Sequence, residues 1–463
     1  MVLKTNLLIA ALIVLVSFNA SGNWNKLVQE DNVPYNPSHI MGGPRQEAYP
    51  IMCGPLGITV TVKANSSTCT VFKIESRSFP KYITCDKLEV GDTIVSINGK
   101  AISVMETTNA GTQCTGPLVD LGNALSTKQI EMTVTSAKDK TKKVIIDNSQ
   151  FIPFTDITSS RCVSRTMIRD INTTMKKFKS PVATYGDGGG VLVSSSLIHL
   201  FKLNNGSTID TRKFLYAMYD EYNKDKAYLA SSWKINYVCT VALEYLNQKK
   251  SKKIERFTQL LLDDLAQRTS DGGRHGHFYD VGYEGRGINA ITAHVYLNML
   301  LGEKLKFKID QTKKTAIVKW LDECSMYDHL GYIYSPNGSP SEPAYRDGLY
   351  AVALRIANRQ SEFESLSVKI VNDAKKGMNG HALSNIALFW HSMCLNSDIE
   401  KKKQYLSNWN WYFNITTPRS KSGLTRLYLT MSCQDAYMNH SVVSHGVHGL
   451  IFSSSNKKLM ILK

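Results

Sequence analysis

The densest set of side chains able to do chemistry lies in one glycine-rich stretch, Asp271-Gly-Gly-Arg-His-Gly-His-Phe-Tyr-Asp-Val-Gly-Tyr-Glu-Gly-Arg286. His277, Asp280 and Tyr283 are residue types that accept or donate protons in catalysis, and Arg286 is suited to an anionic ligand. Two further loops add Tyr345, Asp347 and His381. Histidine and carboxylate also suit zinc. His275, His277 and Asp280 do not complete such a site, however, and neither a metal nor a cofactor is expected. Asp187-Gly-Gly-Gly190 lacks the Gly-Lys-Ser/Thr ending of a phosphate-binding loop, and no Gly-x-Ser-x-Gly elbow occurs. No catalytic constellation is complete, so His277, Asp280, Tyr283, Asp347 and His381 stand as candidates. Each has a plainer alternative: Asp347 sits where a helix cap would, and Tyr345 and Trp233 fit either a carbohydrate platform or core packing.

The chain that must position these groups has 463 residues, 43% hydrophobic and 20% charged, which is ordinary for a globular protein and excludes a collagen-like or fully disordered one. Its net charge of +16 favours polyanionic partners or an anionic surface. No basic motif with interleaved aromatics points to nucleic acid. Residues 1–22 read as a secretory signal, with Lys4 before the apolar run Leu7 to Val16 and small residues at Ala20-Ser21-Gly22. No later stretch is apolar enough to span a bilayer, so a secreted product with no transmembrane segment is expected. In an oxidising compartment the nine cysteines imply disulfides, with Cys53, Cys69, Cys85 and Cys114 as candidates within one small domain. Glycosylation sequons stand at Asn65, Asn172, Asn205, Asn337, Asn414 and Asn439.

Residues 50–152 alternate strand-like runs with turns. Ile58-Thr-Val-Thr-Val62 is β-branched, and Asn98-Gly99 between two runs is a hairpin signal. Pro117 opens a short helix. Leu88-Glu-Val-Gly-Asp-Thr-Ile-Val-Ser-Ile-Asn-Gly-Lys100 resembles a PDZ domain, and Pro55-Leu56-Gly57-Ile58 stands where that family has its carboxylate-binding loop. The resemblance implies that Leu56, Gly57 and Ile58 receive a peptide C-terminus, with the following strand offering its edge. Pro55 replaces the family's first glycine and removes one N–H donor.

From residue 185 the period becomes helical. Amphipathic, charged stretches (Thr211 to Tyr222, Ser251 to Arg268, Asp310 to Cys324, Ser361 to Ala374, Asp398 to Phe413) alternate with stretches apolar nearly all round (Gly190 to Phe201, Ser232 to Leu246, Gly287 to Leu301, Gly348 to Ala357, His381 to Leu395). A further enclosed helix is expected near Gly423 to Cys433. Ser361-Glu-Phe-Glu364 reads as a capping box, and Asp310 and Asp398 as N-caps. Enclosed helices alternating with half-exposed ones predict two concentric layers, an α/α toroid. If the inner helices run parallel, the polar loops before them share one rim, where helix N-termini favour an anion.

Gly276-His-Phe-Tyr-Asp-Val-Gly-Tyr-Glu-Gly-Arg-Gly-Ile-Asn-Ala290, Asn379-Gly-His-Ala-Leu-Ser-Asn385 and Trp411-Tyr-Phe-Asn414 resemble a family of secreted proteins that join a PDZ-like module to a helical toroid, the domain of unknown function 6288 family. The resemblance implies an architecture and no reaction. The expected organisation is α+β and multidomain: a signal at 1–22, an N-terminal segment at 23–49, a PDZ-like domain at 50–152, a linker at 153–184 and an all-α toroid at 185–463. Two functions fit it. One is a binding or scaffold protein whose rim takes an anionic glycan or a peptide C-terminus. The other is a glycan-active hydrolase or lyase using the same rim.

Overall fold

The computed structural model of the chain describes residues 48–63, 66–74, 87–104, 107–108, 111–112, 116–138, 140–154, 190–278, 287–325, 330, 347–374, 384–417 and 440–463. The expected signal, the sequons at Asn65, Asn172, Asn337 and Asn439, and Cys85 and Cys114 lie outside these residues.

The N-terminal part is an antiparallel sheet of strands β1 (Ala48–Cys53), β2 (Ile58–Lys63), β3 (Cys69–Ile74), β4 (Thr93–Ile97), β8 (Gln129–Thr135) and β9 (Thr141–Asp147), in that order, with β5 (Lys100–Ala101) paired to β4. A separate small ribbon pairs β6 (Thr107–Thr108) with β7 (Gly111–Thr112). Helix α1 (Pro117–Ala124) precedes β8. Alternation of β-branched residues forms the strands: Ile58, Val60 and Val62 are buried, as are Ile130, Met132 and Val134. Asn98 and Gly99 turn between β4 and β5 with positive φ at both positions (52° and 76°), as a two-residue hairpin of this type requires.

The register of β2 bears on two expectations. β2 is hydrogen-bonded along both edges, to β1 from Cys53↔Ile58 to Ala48↔Lys63 and to β3 from Ile58↔Ile74 to Val62↔Cys69. Leu56, Gly57 and Ile58 are buried, with Gly57 at φ 67° forming the turn that joins β1 to β2. They therefore offer no open edge to a peptide terminus. The same register places Cys53 opposite one end of β2 and Cys69 opposite the other. Four residues of strand separate them, about 13 Å along β2, whereas a disulfide needs Cα atoms within about 7 Å. No disulfide links two described cysteines, and the Cys69, Cys239 and Cys394 thiols are buried and unbridged.

The C-terminal part is helical: α2 (Gly190–Asn204), α3 (Ile209–Lys224), α4 (Ser232–Leu246), α5 (Lys252–Arg268), α6 (Asn289–Lys304), α7 (Gln311–Cys324), α8 (Asp347–Ile356), α9 (Gln360–Asn372), α10 (Ser384–Cys394), α11 (Ile399–Ser407), α12 (Asn410–Thr416) and α13 (His440–Ser453). Ser251, Asp310 and Asp398 cap α5, α7 and α11 through side-chain oxygens that accept backbone N–H groups. The capping box at Ser361 does not form. The N-cap of α9 is Arg359, whose guanidinium is drawn to Asp322 and Glu362. The sixth enclosed helix is α13, beyond the expected span near Gly423, which lies outside the described residues.

Packing separates the helices into two sets. α2, α4, α6, α8, α10 and α13 each touch the next, and α13 returns to α2. α3 and α5 pack outside α4, α7 outside α6, α9 outside α8, and α11 against α9 and α10. The sheet domain docks on this body through α1 and α12. Gly122 permits close approach there, since a Cβ on it would lie 2.5 Å from the Trp411 carbonyl oxygen. Asn414 fixes the junction. Its Oδ1 accepts from the Phe154 N–H (2.7 Å), while its Nδ2 donates to the Gly122 carbonyl (3.1 Å) and Ser126 Oγ (3.0 Å). The amide is buried and fully used, so the sequon at Asn414 is not a glycan acceptor in this fold. The Asn205 amide, half-buried, is also engaged, with Phe201 and Asn456.

Candidate rim site

One end of the helical body is closed by residues 453–462. Asn204, the last residue of α2, donates to the Ser453 carbonyl (2.6 Å). Glu244 near the end of α4 accepts the Met460 and Ile461 N–H groups (2.8 and 3.0 Å). Arg355 near the end of α8 donates to the Ile461 carbonyl (2.6 Å), and Asn396, two residues past α10, to that of Leu462 (3.0 Å). Ser453 itself ends α13. The C-terminal ends of five enclosed helices therefore gather on one short segment, whose Leu459, Met460, Ile461 and Leu462 are buried. Their N-terminal ends lie at the other end.

His277 and Asp347 are at that other end. The His277 carbonyl accepts the Ser232 N–H at the start of α4 (2.7 Å), and its Nδ1 accepts the Trp233 indole N–H (2.9 Å). An indole can only donate, so Nδ1 is unprotonated and neutral His277 carries its proton on Nε2. Phe278 beside it is 49% exposed. Asp347 opens α8, buried, and its Oδ1 accepts the Leu330 N–H (2.8 Å). It thus ties a preceding loop to the helix. His275 is a core residue: its Nε2 lies 2.6 Å from Thr269 Oγ1, its carbonyl accepts the Ile288 N–H, and burial pushes its pKa down to about 3. Asp280, Tyr283, Arg286, Tyr345 and His381 fall outside the described residues. Among the described residues no group of three His, Cys, Asp or Glu side chains could hold a metal ion.

Between the two ends lies a buried polar network absent from the sequence expectations. Thr240 Oγ1 is 2.8 Å from His294 Nε2, 2.8 Å from Asn298 Oδ1 and 3.0 Å from the Asn236 carbonyl. Both oxygens are acceptors, so the single hydroxyl proton serves one of them and His294 must donate from Nε2. Asn298 Nδ2 closes the network on Asn236 Oδ1 (2.9 Å). Trp390 donates to the Tyr237 hydroxyl (3.2 Å), and its ring meets His294 edge-on. Burial lowers His294 to about 3 and raises Tyr237 far above the physiological range, so both stay neutral. The signal was present in the sequence: Asn236/Thr240 and His294/Asn298 are each four apart, which puts each pair on one helix face.

Residues 164–462 match the family described as Domain of unknown function (DUF6288). The chain belongs to this family. The match takes in every helix from α2 to α13 and leaves the sheet domain outside it. No curated protein and no solved structure matches the chain.

Proposed function

We propose that this member of the DUF6288 family is a secreted binding or scaffold protein. A PDZ-like module is held against an α/α toroid, and the toroid rim takes an anionic group such as a uronate or a C-terminal carboxylate. The observation that carries the reading is the closed circuit of six helices, five of whose C-terminal ends meet on residues 453–462. It leaves the helix N-termini, with His277 and Asp347, for a ligand at the opposite end, where backbone N–H groups and the helix dipoles favour negative charge. Arg286, in the loop before α6, supplies a cation suited to a carboxylate.

Binding ranks ahead of glycan cleavage on the same rim. A lyase or hydrolase needs a base and an acid that reach the substrate. The described Tyr and His that stand side by side, Tyr237 with His294, Tyr405 with His391 and Tyr412 with His448, are all buried. The test uses the secreted chain, whose N-terminus should begin near Asn23, on arrays of uronate-containing and neutral oligosaccharides and of peptide C-termini. Retention of anionic ligands, lost in Arg286→Ala with an unchanged melting temperature, supports the proposal. Release of cleaved sugar supports the enzyme instead. Unfolding by Arg286→Ala would make that loop a structural network, and retention of no anionic ligand would end the rim reading.

A further inference from the structure

The closed end of the helical body has a character of its own, independent of the rim proposal. Five helix C-termini converge there, and the chain that follows or covers them is rich in lysine. Lys249 and Lys250 follow α4, Lys304 and Lys306 end and follow α6, and Lys457 and Lys458 lie in the closing segment. All six are exposed, and none forms an ion pair among the described residues. They share one face. Asn247 donates to the Lys458 carbonyl, the Lys458 ammonium lies against Gly206 at the end of α2, and the Lys304 charge reaches Glu244 beneath the segment. At this end Asp210 is engaged with Lys202, Glu303 with Lys314 and Asp398 with Lys401, while Glu400 beside Ile399 is exposed.

Helix C-termini attract some basic residues in any protein, but two features exceed that need. The first is the density of unpaired lysine over one sector, far more than the half-charges of the helix ends require. The second is a pair of large apolar side chains on the same face. Ile209, 63% exposed, begins α3 three residues after Gly206, and Ile399, 56% exposed, begins α11 three residues after Asn396. Both flank the closing segment. A soluble partner that needs only charge gives exposed isoleucine no reward, whereas an interfacial surface accepts lysine at the headgroups and isoleucine just below them.

We infer that this lysine-rich, isoleucine-flanked end of the helical body docks on membrane surfaces that carry anionic lipid headgroups. Six exposed ammonium groups spread over one face suit a delocalised negative surface rather than one shaped ligand. Docking this way leaves the opposite rim facing solvent.

The test is sedimentation of the full secreted chain with vesicles of phosphatidylcholine alone or with about one-third phosphatidylglycerol, at low salt and at about 0.5 M salt. Binding to the anionic vesicles only, lost at high salt, is expected. Lys249→Gln, Lys250→Gln and Lys458→Gln should each lower the partition coefficient about fivefold. Ile209→Ser should weaken binding at constant charge, a change that purely electrostatic attachment would not show. The melting temperature of each variant identifies any loss due to misfolding, and the single variants stand in for a triple variant that fails to fold. Equal binding to both vesicle types, no binding to either, or capture by heparin or alginate but not by vesicles would overturn the inference.

Discussion

Glu244 and Lys402 are ionisable groups sealed inside the helical body with opposite responses to burial. Burial raises the Glu244 carboxyl from 4.5 to about 7, against the two N–H groups that hold it, so the folded protein keeps a proton that the unfolded chain has released. That contribution is complete below pH 4.5 and is lost as pH rises through about 7. Burial lowers the Lys402 ammonium from 10.5 to about 7, where it still donates to Asn396 Oδ1 and Ser454 Oγ. Its contribution is complete above 10.5 and is lost as pH falls through about 7. Together they place a minimum of stability near neutrality. Urea unfolding across pH should show Glu244→Gln flattening the acid side and Lys402→Met the alkaline side; profiles that do not respond to either change would refute the assignment. Cys69 gives a second test at this scale. Burial pushes its thiol up to about 12, so iodoacetamide should label it only after denaturation.

At the scale of elements, much was legible because periodicity and burial agree. The enclosed helix α4 begins and ends where an all-round apolar run does, at Ser232 and Leu246, and the Asn98-Gly99 turn follows from backbone sterics alone. α13 was hidden because serine, histidine and glycine dilute its apolar pattern. Its Gly446 and Gly449 are contact surfaces, lying against Leu197 and Phe201 of α2, and only the partner helix reveals that. β1 was unreadable for a related reason: its place is set by pairing with β2, a tertiary fact. Of the expected rim residues, sequence could group the loops but could not separate His275, a core histidine, from His277. A helix interior normally gains about 1 kcal/mol when glycine becomes alanine. Gly348→Ala should do the opposite. Its Cβ would stand 2.5 Å from His391 Cδ2 and 2.6 Å from the His391 backbone nitrogen, which cannot rotate away. Forcing α8 from α10 should cost about 2 kcal/mol net, read as a lower melting temperature; a stabilised variant would show that the helices yield freely.

Over the whole molecule, Asn414 joins the sheet domain to the helical body with bonds to both sides. Asn414→Ala leaves the Phe154 N–H and the Gly122 carbonyl without their partner, at a cost of about 2–4 kcal/mol. Calorimetry should resolve one transition in the native protein and two in the variant, and a single unshifted transition would show that the junction does not couple the domains. Deleting Leu459–Lys463 should be harsher. Four buried apolar side chains at about 2 kcal/mol each approach the stability of an ordinary domain. That variant should fail to melt cooperatively, and a native-like melt would refute the sealing role.

The bond from Asn204 to Ser453 spans 249 residues, and it ties the first enclosed helix to the last. During synthesis α2 leaves the ribosome long before α13 exists. Its contact face must wait uncovered while every intervening helix is made. Folding of the helical body is therefore held back until residues near 453 have emerged. A chain so delayed stays threadable, which is the state in which a polypeptide is passed across a membrane, and the late arrival of one helix sets how long that window lasts.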